Sequence, residues 1–105
     1  MVDAAVIGLR ESDMTTIHDA LKSFPQIKKA TLFGSRAKGN YKPGSDIDLA
    51  LKIDGTDVTN QVGGVLNDDL MLPYKFDVHN IDTINNADLL DHINRVGIPI
   101  FGDDQ

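Results

Sequence analysis

The chain has 105 residues, of which 10 are Lys or Arg and 16 are Asp or Glu, so its formal net charge is −6. This length is typical of one domain, and we expect a single domain over residues 1–105. The absence of Cys excludes disulfides, thiolate zinc sites and Cys nucleophiles. Because a nucleic-acid backbone is bound by clustered Lys and Arg, so acidic a chain is not expected to bind nucleic acid directly.

Membrane insertion is not expected either. No apolar run approaches the ~20 residues that span a bilayer. The N-terminal apolar patch is short and carries an acid at Asp3, which argues against a signal peptide. We therefore expect a cytoplasmic protein.

The first part of the chain predicts a helix, a strand and a loop. Apolar residues recur at helical spacing after Ser12, the predicted N-cap, and Pro25 ends this helix. The segment Lys29–Phe33 (KATLF) is typical of a short buried strand. Residues 35–45 are rich in Gly, Lys, Asn and Pro, so we expect a loop there, with one helical turn after Ser35.

The alternation in Asp46–Ile53 (DIDLALKI) is the clearest strand signal, with Ile and Leu on one face and Asp46 and Asp48 on the other. A helix is predicted over Thr59–Leu72, although Gly63 and Gly64 each weaken it by about 1 kcal/mol relative to Ala.

A third strand is predicted over Tyr74–Asn80 (YKFDVHN), with Asp77 and His79 on one face. Asn86 can cap a last helix that Gly97 ends, and Ile98–Phe101 predicts a short edge strand. The element order predicts an α+β fold in which helices pack on one side of a small mixed β-sheet.

Asp46 and Asp48 share one face of their strand, ~6.5 Å apart along its axis. Two neighbouring carboxylates repel each other unless a proton or a cation relieves them. At a site of oxygen ligands the expected cation is Mg²⁺, which binds carboxylates together with substrate phosphates. Asp77 would complete a site of three carboxylates if its strand lies beside Asp46–Ile53.

Gly34 and Ser35 precede Asp46 with ten residues in between, giving the pattern G-S-x10-D-x-D. Glycine lets the backbone approach a phosphate closely, and the N–H groups after it can point at phosphate oxygens. Arg36, Lys38 and Lys42 add positive charge to the same loop. They are either phosphate ligands or exposed loop cations.

These residues resemble the nucleotidyltransferases of the polymerase-β-like superfamily. The resemblance is carried by GSRAKG at 34–39, SDIDLAL at 45–51 and FDV at 76–78. The chain is most similar to the minimal nucleotidyltransferases (MNT), which serve as antitoxins of HEPN-domain ribonuclease toxins. The resemblance extends from about Ala30 to Phe101, and it implies the nucleotidyltransferase (polymerase-β-like palm) fold.

The resemblance also implies roles for individual residues. Asp46, Asp48 and Asp77 are expected to be catalytic and to bind two Mg²⁺ ions. The residues expected to bind the nucleotide are Gly34, Ser35, Arg36 and Lys38. Lys38 stands where the family often has Arg, and a Lys cannot make a bidentate contact with phosphate.

The activity implied is Mg²⁺-dependent transfer of AMP from ATP to a Tyr hydroxyl of a partner HEPN toxin. Only 28 residues follow Asp77, so we expect another chain to hold the acceptor, and therefore a hetero-oligomer. Two alternatives stay open. The chain could neutralise its partner by occlusion without catalysis, or it could modify a small molecule, which the absence of a second substrate domain disfavours.

Overall fold

The protein is described by a computed structural model covering residues 4–102. Its helices are α1 (Glu11–Lys22), α2 (Ser35–Lys38), α3 (Thr59–Gly64) and α4 (Ala87–Val96). Its strands are β1 (Ile27–Phe33), β2 (Ile47–Ile53), β3 (Phe76–Asn80) and β4 (Ile98–Gly102). A 3₁₀ turn (Ala4–Ile7) precedes α1, and a π-helical turn (Val65–Asp69) continues α3.

The four strands form one mixed sheet in the order β3-β2-β1-β4. β1 is antiparallel to β2 and to β4, whereas β2 and β3 are parallel. The crossover from β2 to β3 runs through α3 and the π-helical turn, as parallel pairing requires. The predicted α+β class and mixed sheet are therefore confirmed.

The main core lies on the sheet face that carries Ile47, Leu49 and Leu51, all fully buried. The apolar side chains of α1 and α3 pack against this face. α4 lies instead on the opposite face, where Ile93 packs with Phe33 and Ala50. The expected one-sided packing thus holds for α1 and α3 but not for α4, which covers part of the polar face. No helix within residues 4–102 has the length and apolarity to cross a membrane.

Several element bounds differ from prediction, and those of α1 and α3 differ most clearly. α1 begins at Glu11 with Arg10 as N-cap, so the prediction of Ser12 was wrong. The cause is Asp13, a buried carboxylate that accepts a hydrogen bond from the Arg10 backbone N–H at 3.1 Å. The helix is shorter than the predicted Thr59–Leu72. Regular α-helix ends at Gly64, and a π-helical turn follows it.

Candidate active site

The register of the sheet brings two of the predicted acids together. Asp48 lies directly opposite Asp77 in the parallel pair of β2 and β3. Asp46 is exposed and immediately precedes β2. The condition set by the sequence, that the strand of Asp77 lies beside that of Asp48, is therefore met.

The start of β3 is fixed by a side chain that the sequence did not single out. Asn67, in the π-helical turn, donates to the Phe76 carbonyl at 3.0 Å and accepts from the Phe76 N–H at 2.8 Å. These two hydrogen bonds anchor the residue immediately before Asp77. The register that places Asp77 beside Asp48 is thus supported from outside the sheet.

The carboxyl of Asp48 is electrostatically strained. Partial burial, together with the negative charges of Asp77 and Asp46, raises its pKa above the usual value, while His79 and His92 act in the opposite direction. The charges of Asp77 and Asp46 therefore lie close enough to Asp48 to disfavour its ionised form. A bound cation would relieve that repulsion.

We expect Asp48→Asn to unfold at a higher temperature than the parent protein at neutral pH without metal. Because the folded state raises the pKa of Asp48, it binds the proton more tightly than the unfolded chain does. The free energy of unfolding therefore falls as pH rises above the usual 3.8 of an Asp side chain. Asn does not titrate, so its advantage should shrink toward about pH 3.

Calorimetry of both proteins in EDTA across this pH range measures the effect. Asp54→Asn is the matched control, since Asp54 is an exposed carboxylate that follows the far end of β2. A parent that is more stable than Asp48→Asn at neutral pH in EDTA would show that burial and the neighbouring acids do not disfavour the ionised Asp48 carboxylate in the fold.

Gly34 forms the bend between β1 and α2, next to these acids. Its φ of 79° lies in the left-handed region that favours glycine. A Cβ built on Gly34 would collide with the Asp48 carboxylate, with the Asp48 Cγ only 3.1 Å away. The backbone of this bend thus touches the predicted metal ligand, which no other residue type would permit.

The Gly34 N–H already has a partner within the chain. It donates to Nε2 of His92, on α4, at 3.1 Å. A phosphate at this bend would therefore meet the N–H groups after Gly34 rather than that of Gly34 itself. Ser35 opens α2 and Lys38 ends it with an exposed side chain, so both lie at the same end of the sheet as the acids.

The position of the Arg36 side chain argues against the prediction that this residue binds the nucleotide. Its side chain is 3% exposed, and its guanidinium donates to the carbonyls of Ile7 at 2.9 Å and Ser45 at 2.9 and 3.1 Å. It also lies 5.3 Å from the ring centres of Tyr41 and Tyr74. Because α2 points this side chain inward, Arg36 holds the site's framework together and is not available to a phosphate.

Two histidines that the sequence did not assign also contact the site. Nε2 of His79 lies 3.2 Å from Oδ2 of Asp77. Nε2 of His92 accepts the hydrogen bond from the Gly34 N–H, and both imidazoles pack near the Phe33 ring. Helical spacing is a signal that could have indicated His92: it precedes the buried Ile93 and follows Leu89 by one turn, so it lies on the side of α4 that faces the sheet.

The donor set fits Mg²⁺ in chemistry, since three carboxylates provide hard oxygen ligands and the charges of Asp46 and Asp77 disfavour the ionised form of Asp48 without a cation. As placed, no three His, Asp or Glu side chains within residues 4–102 converge as a metal site. Asp77 is instead directed toward His79. A metal would therefore compete with His79 for this carboxylate.

Known structures with the same fold include toxin–antitoxin complexes. One, determined with AMP-PNP, contains a chain that is 25% identical, with a TM-score of 0.69 over 89% of this chain and 76% of that one. The MntA–HepT complex matches at 20% identity and a TM-score of 0.67, covering 91% and 75%. A Shewanella oneidensis complex of tri-AMPylated HEPN toxin with MNT antitoxin matches at 20% and 0.67, covering 90% and 74%.

Sequence comparison agrees with this fold. No curated protein matches the chain. Residues 15–105 match the family model described as "Polymerase beta, Nucleotidyltransferase", and this range includes Gly34, Asp48 and Asp77. The chain therefore belongs to the polymerase β nucleotidyltransferase family.

Proposed function

We propose that the protein transfers AMP from ATP, with Mg²⁺, to a Tyr hydroxyl of a HEPN ribonuclease toxin and thereby acts as its antitoxin. The observation that carries the proposal is the pairing of Asp48 with Asp77 beside the Gly34 bend. This arrangement combines carboxylates for a metal with a close backbone approach for phosphates. The protein would act as a single domain, in the cytoplasm, within a hetero-oligomer.

The structural neighbours support the choice of nucleotide and partner. A chain of the complex determined with AMP-PNP is 25% identical to this one, which favours ATP as the donor. The toxin in the Shewanella oneidensis complex carries AMP and belongs to the HEPN class. On this basis, we propose a HEPN protein as the acceptor here.

The residues of the site form two groups with different tasks in the proposed reaction. The N–H groups after Gly34, the Ser35 hydroxyl and the Lys38 ammonium bind the triphosphate. Asp46, Asp48 and Asp77 would hold Mg²⁺, which supplies charge neutralisation of the phosphates and of the developing oxyanion. The sheet fixes Asp48 and Asp77 relative to each other, so that little reorganisation is needed during the reaction.

The bond changes define what must be positioned. The acceptor oxygen attacks the α-phosphorus in line with the bond to the β-phosphate, and that bond breaks to release pyrophosphate. The hydroxyl proton must leave as the new phosphodiester forms. Asp77 would accept it, because its side chain is 55% exposed and therefore open to an acceptor from another chain.

The test is transfer of label from α-labelled ATP to a purified HEPN partner in the presence of Mg²⁺. We expect Asp48→Asn and Asp77→Asn to lower the rate by at least about 10²–10³-fold, the usual cost of removing one preorganised electrostatic group. EDTA should abolish transfer by the parent. Asp69→Asn, an exposed acid in the π-helical turn, serves as the control and should transfer normally.

The same variants separate catalysis from occlusion. An antitoxin that acts only by covering its partner would still inhibit the ribonuclease when Asp48 is replaced. If the parent protein inhibits the toxin but leaves it unlabelled under all these conditions, the proposed AMP transfer is wrong and occlusion replaces it. Labelling of a small molecule but not of the toxin would favour the remaining alternative.

A further inference from the structure

Negative and positive side chains lie at opposite ends of the polar face of the sheet. Asp48, Ala50 and Lys52 alternate onto this face of β2, and Lys29 of β1 lies directly opposite Lys52. Lys52 lies four positions after Asp48 along β2, which is a distance of ~13 Å. The face therefore has carboxylates at the end near the Gly34 bend and two lysines at the other end.

The two lysines form an unfavourable pair. Like charges directly opposite each other on an antiparallel pair of strands destabilise a sheet. The ammonium of Lys52 is offset by Asp82, with both carboxylate oxygens at 3.0 Å. Lys29 has no ion pair within residues 4–102, and it is half-buried in a chain whose net charge is −6. An anion held between the lysines would remove this repulsion.

A cavity of about 270 Å³ lies between these lysines and α4. Ile81, Ile93 and Pro99 give it an apolar wall, and Asn94 adds an amide. The lining thus combines cations at one side with an apolar surface and a hydrogen-bonding group. We call this cavity the lysine pocket, defined by Lys29, Lys52, Ile81, Ile93, Asn94 and Pro99.

We propose that the lysine pocket binds a nucleoside monophosphate group other than the ATP that is cleaved. Its phosphate lies between Lys29 and Lys52, and its base packs on the apolar wall within reach of Asn94. The ATP that is cleaved would lie elsewhere, since the lysines stand at the end of the sheet face away from the Gly34 bend. The inference rests on the proposed function only for the source of the ligand: AMP already joined to the acceptor, or free AMP.

The pocket is tested first by direct binding of 5′-AMP to the full chain without metal or partner. We expect Lys29→Gln to weaken AMP binding at least about tenfold, which corresponds to one lost charged contact. Lys28→Gln is the matched control, since Lys28 is an exposed neighbour outside the pocket. Because Lys29→Gln removes a like-charge pair, it should melt no lower than the parent.

Adenosine and ribose 5-phosphate, titrated separately, should each bind more weakly than 5′-AMP, because the pocket uses both the base and the phosphate. Equal affinity of the parent, Lys28→Gln and Lys29→Gln for AMP would overturn the proposal. So would NMR shift changes confined to Gly34 and Asp48 on AMP addition, because they would place AMP at the triphosphate site.

Transfer to the HEPN partner then distinguishes the two sources. If the pocket holds AMP on the acceptor, Lys29→Gln lowers the ratio of doubly to singly modified partner seen by mass spectrometry. If it holds free AMP, added AMP inhibits the parent but not Lys29→Gln. The proposal is contradicted if Lys29→Gln changes neither the ratio of doubly to singly modified partner nor the inhibition by AMP. It is also contradicted if Lys29→Gln raises the KM for ATP. A parent that transfers no AMP refutes the proposed function, while AMP titration still decides the pocket.

Discussion

Gly34→Ala is expected to abolish nucleotide binding and to lower the stability of the metal-free protein. Two separate costs arise at this position. An L-residue at φ 79° and ψ −157° is strained by about 1–3 kcal/mol. The new methyl group would also overlap the Asp48 carboxylate, so that either β2 or the bend must move. Because this contact lies between the bend proposed to bind phosphate and the proposed metal ligands, either movement would separate the two halves of the candidate site.

The loss of nucleotide binding is measured by titrating each protein with Mg²⁺ and a non-hydrolysable ATP analogue and recording its melting temperature. The analogue should raise the melting temperature of the parent and leave that of Gly34→Ala nearly unchanged. Gly39→Ala isolates the backbone strain, since Gly39 has φ 84° but open space around its Cβ position. It should lose some stability and still bind the analogue.

The result that contradicts this argument is a Gly34→Ala protein stabilised by the analogue as strongly as the parent. The close approach of Gly34 to Asp48 would then have no part in nucleotide binding. Loss of binding by both Gly34→Ala and Gly39→Ala would point instead to the shape of α2 as a whole, because Gly39 is its C-cap.

The sequence predicted the parts of the site that follow from local rules. Alternation in DIDLALKI placed Asp48 on the polar face and Ile47 and Leu49 in the core, as observed. Asn86 caps α4 as expected, since its side chain accepts from the N–H groups of Asp88 and Leu89. These features depend on residues close together in the chain. Hydrophobic periodicity and helix-capping chemistry therefore predict them well.

The remaining features depend on contacts between distant segments, which no local pattern encodes. Periodicity could not show that β3 pairs with β2 in parallel, nor that α4 covers the polar face. The role of Arg36 was misjudged for the same reason. A cation in a Gly-rich loop is normally exposed, but here the carbonyls of Ile7 and Ser45 surround its guanidinium.

Arg36→Met is expected to destabilise the protein by about 3 kcal/mol or more, a large fraction of the stability of so small a domain. Arg36 donates to carbonyls in two segments, the turn before α1 and the loop that leads into Asp46. Tyr74, against which it packs, donates to the buried Asp13 at 2.6 Å. Methionine fills the volume but leaves these buried carbonyls without donors.

Urea unfolding of Arg36→Met, Arg36→Lys and Lys38→Met measures the effect. Arg36→Lys keeps the charge near both tyrosines but cannot reproduce the guanidinium fork, so an intermediate loss is expected. Lys38→Met changes an exposed residue of the same short helix and should stay within about 0.5 kcal/mol of the parent. The contradicting result is an Arg36→Met protein that is as stable as Lys38→Met but fails to bind the ATP analogue. Arg36 would then be a phosphate ligand. Its side chain would have to leave the carbonyls of Ile7 and Ser45 when the nucleotide binds.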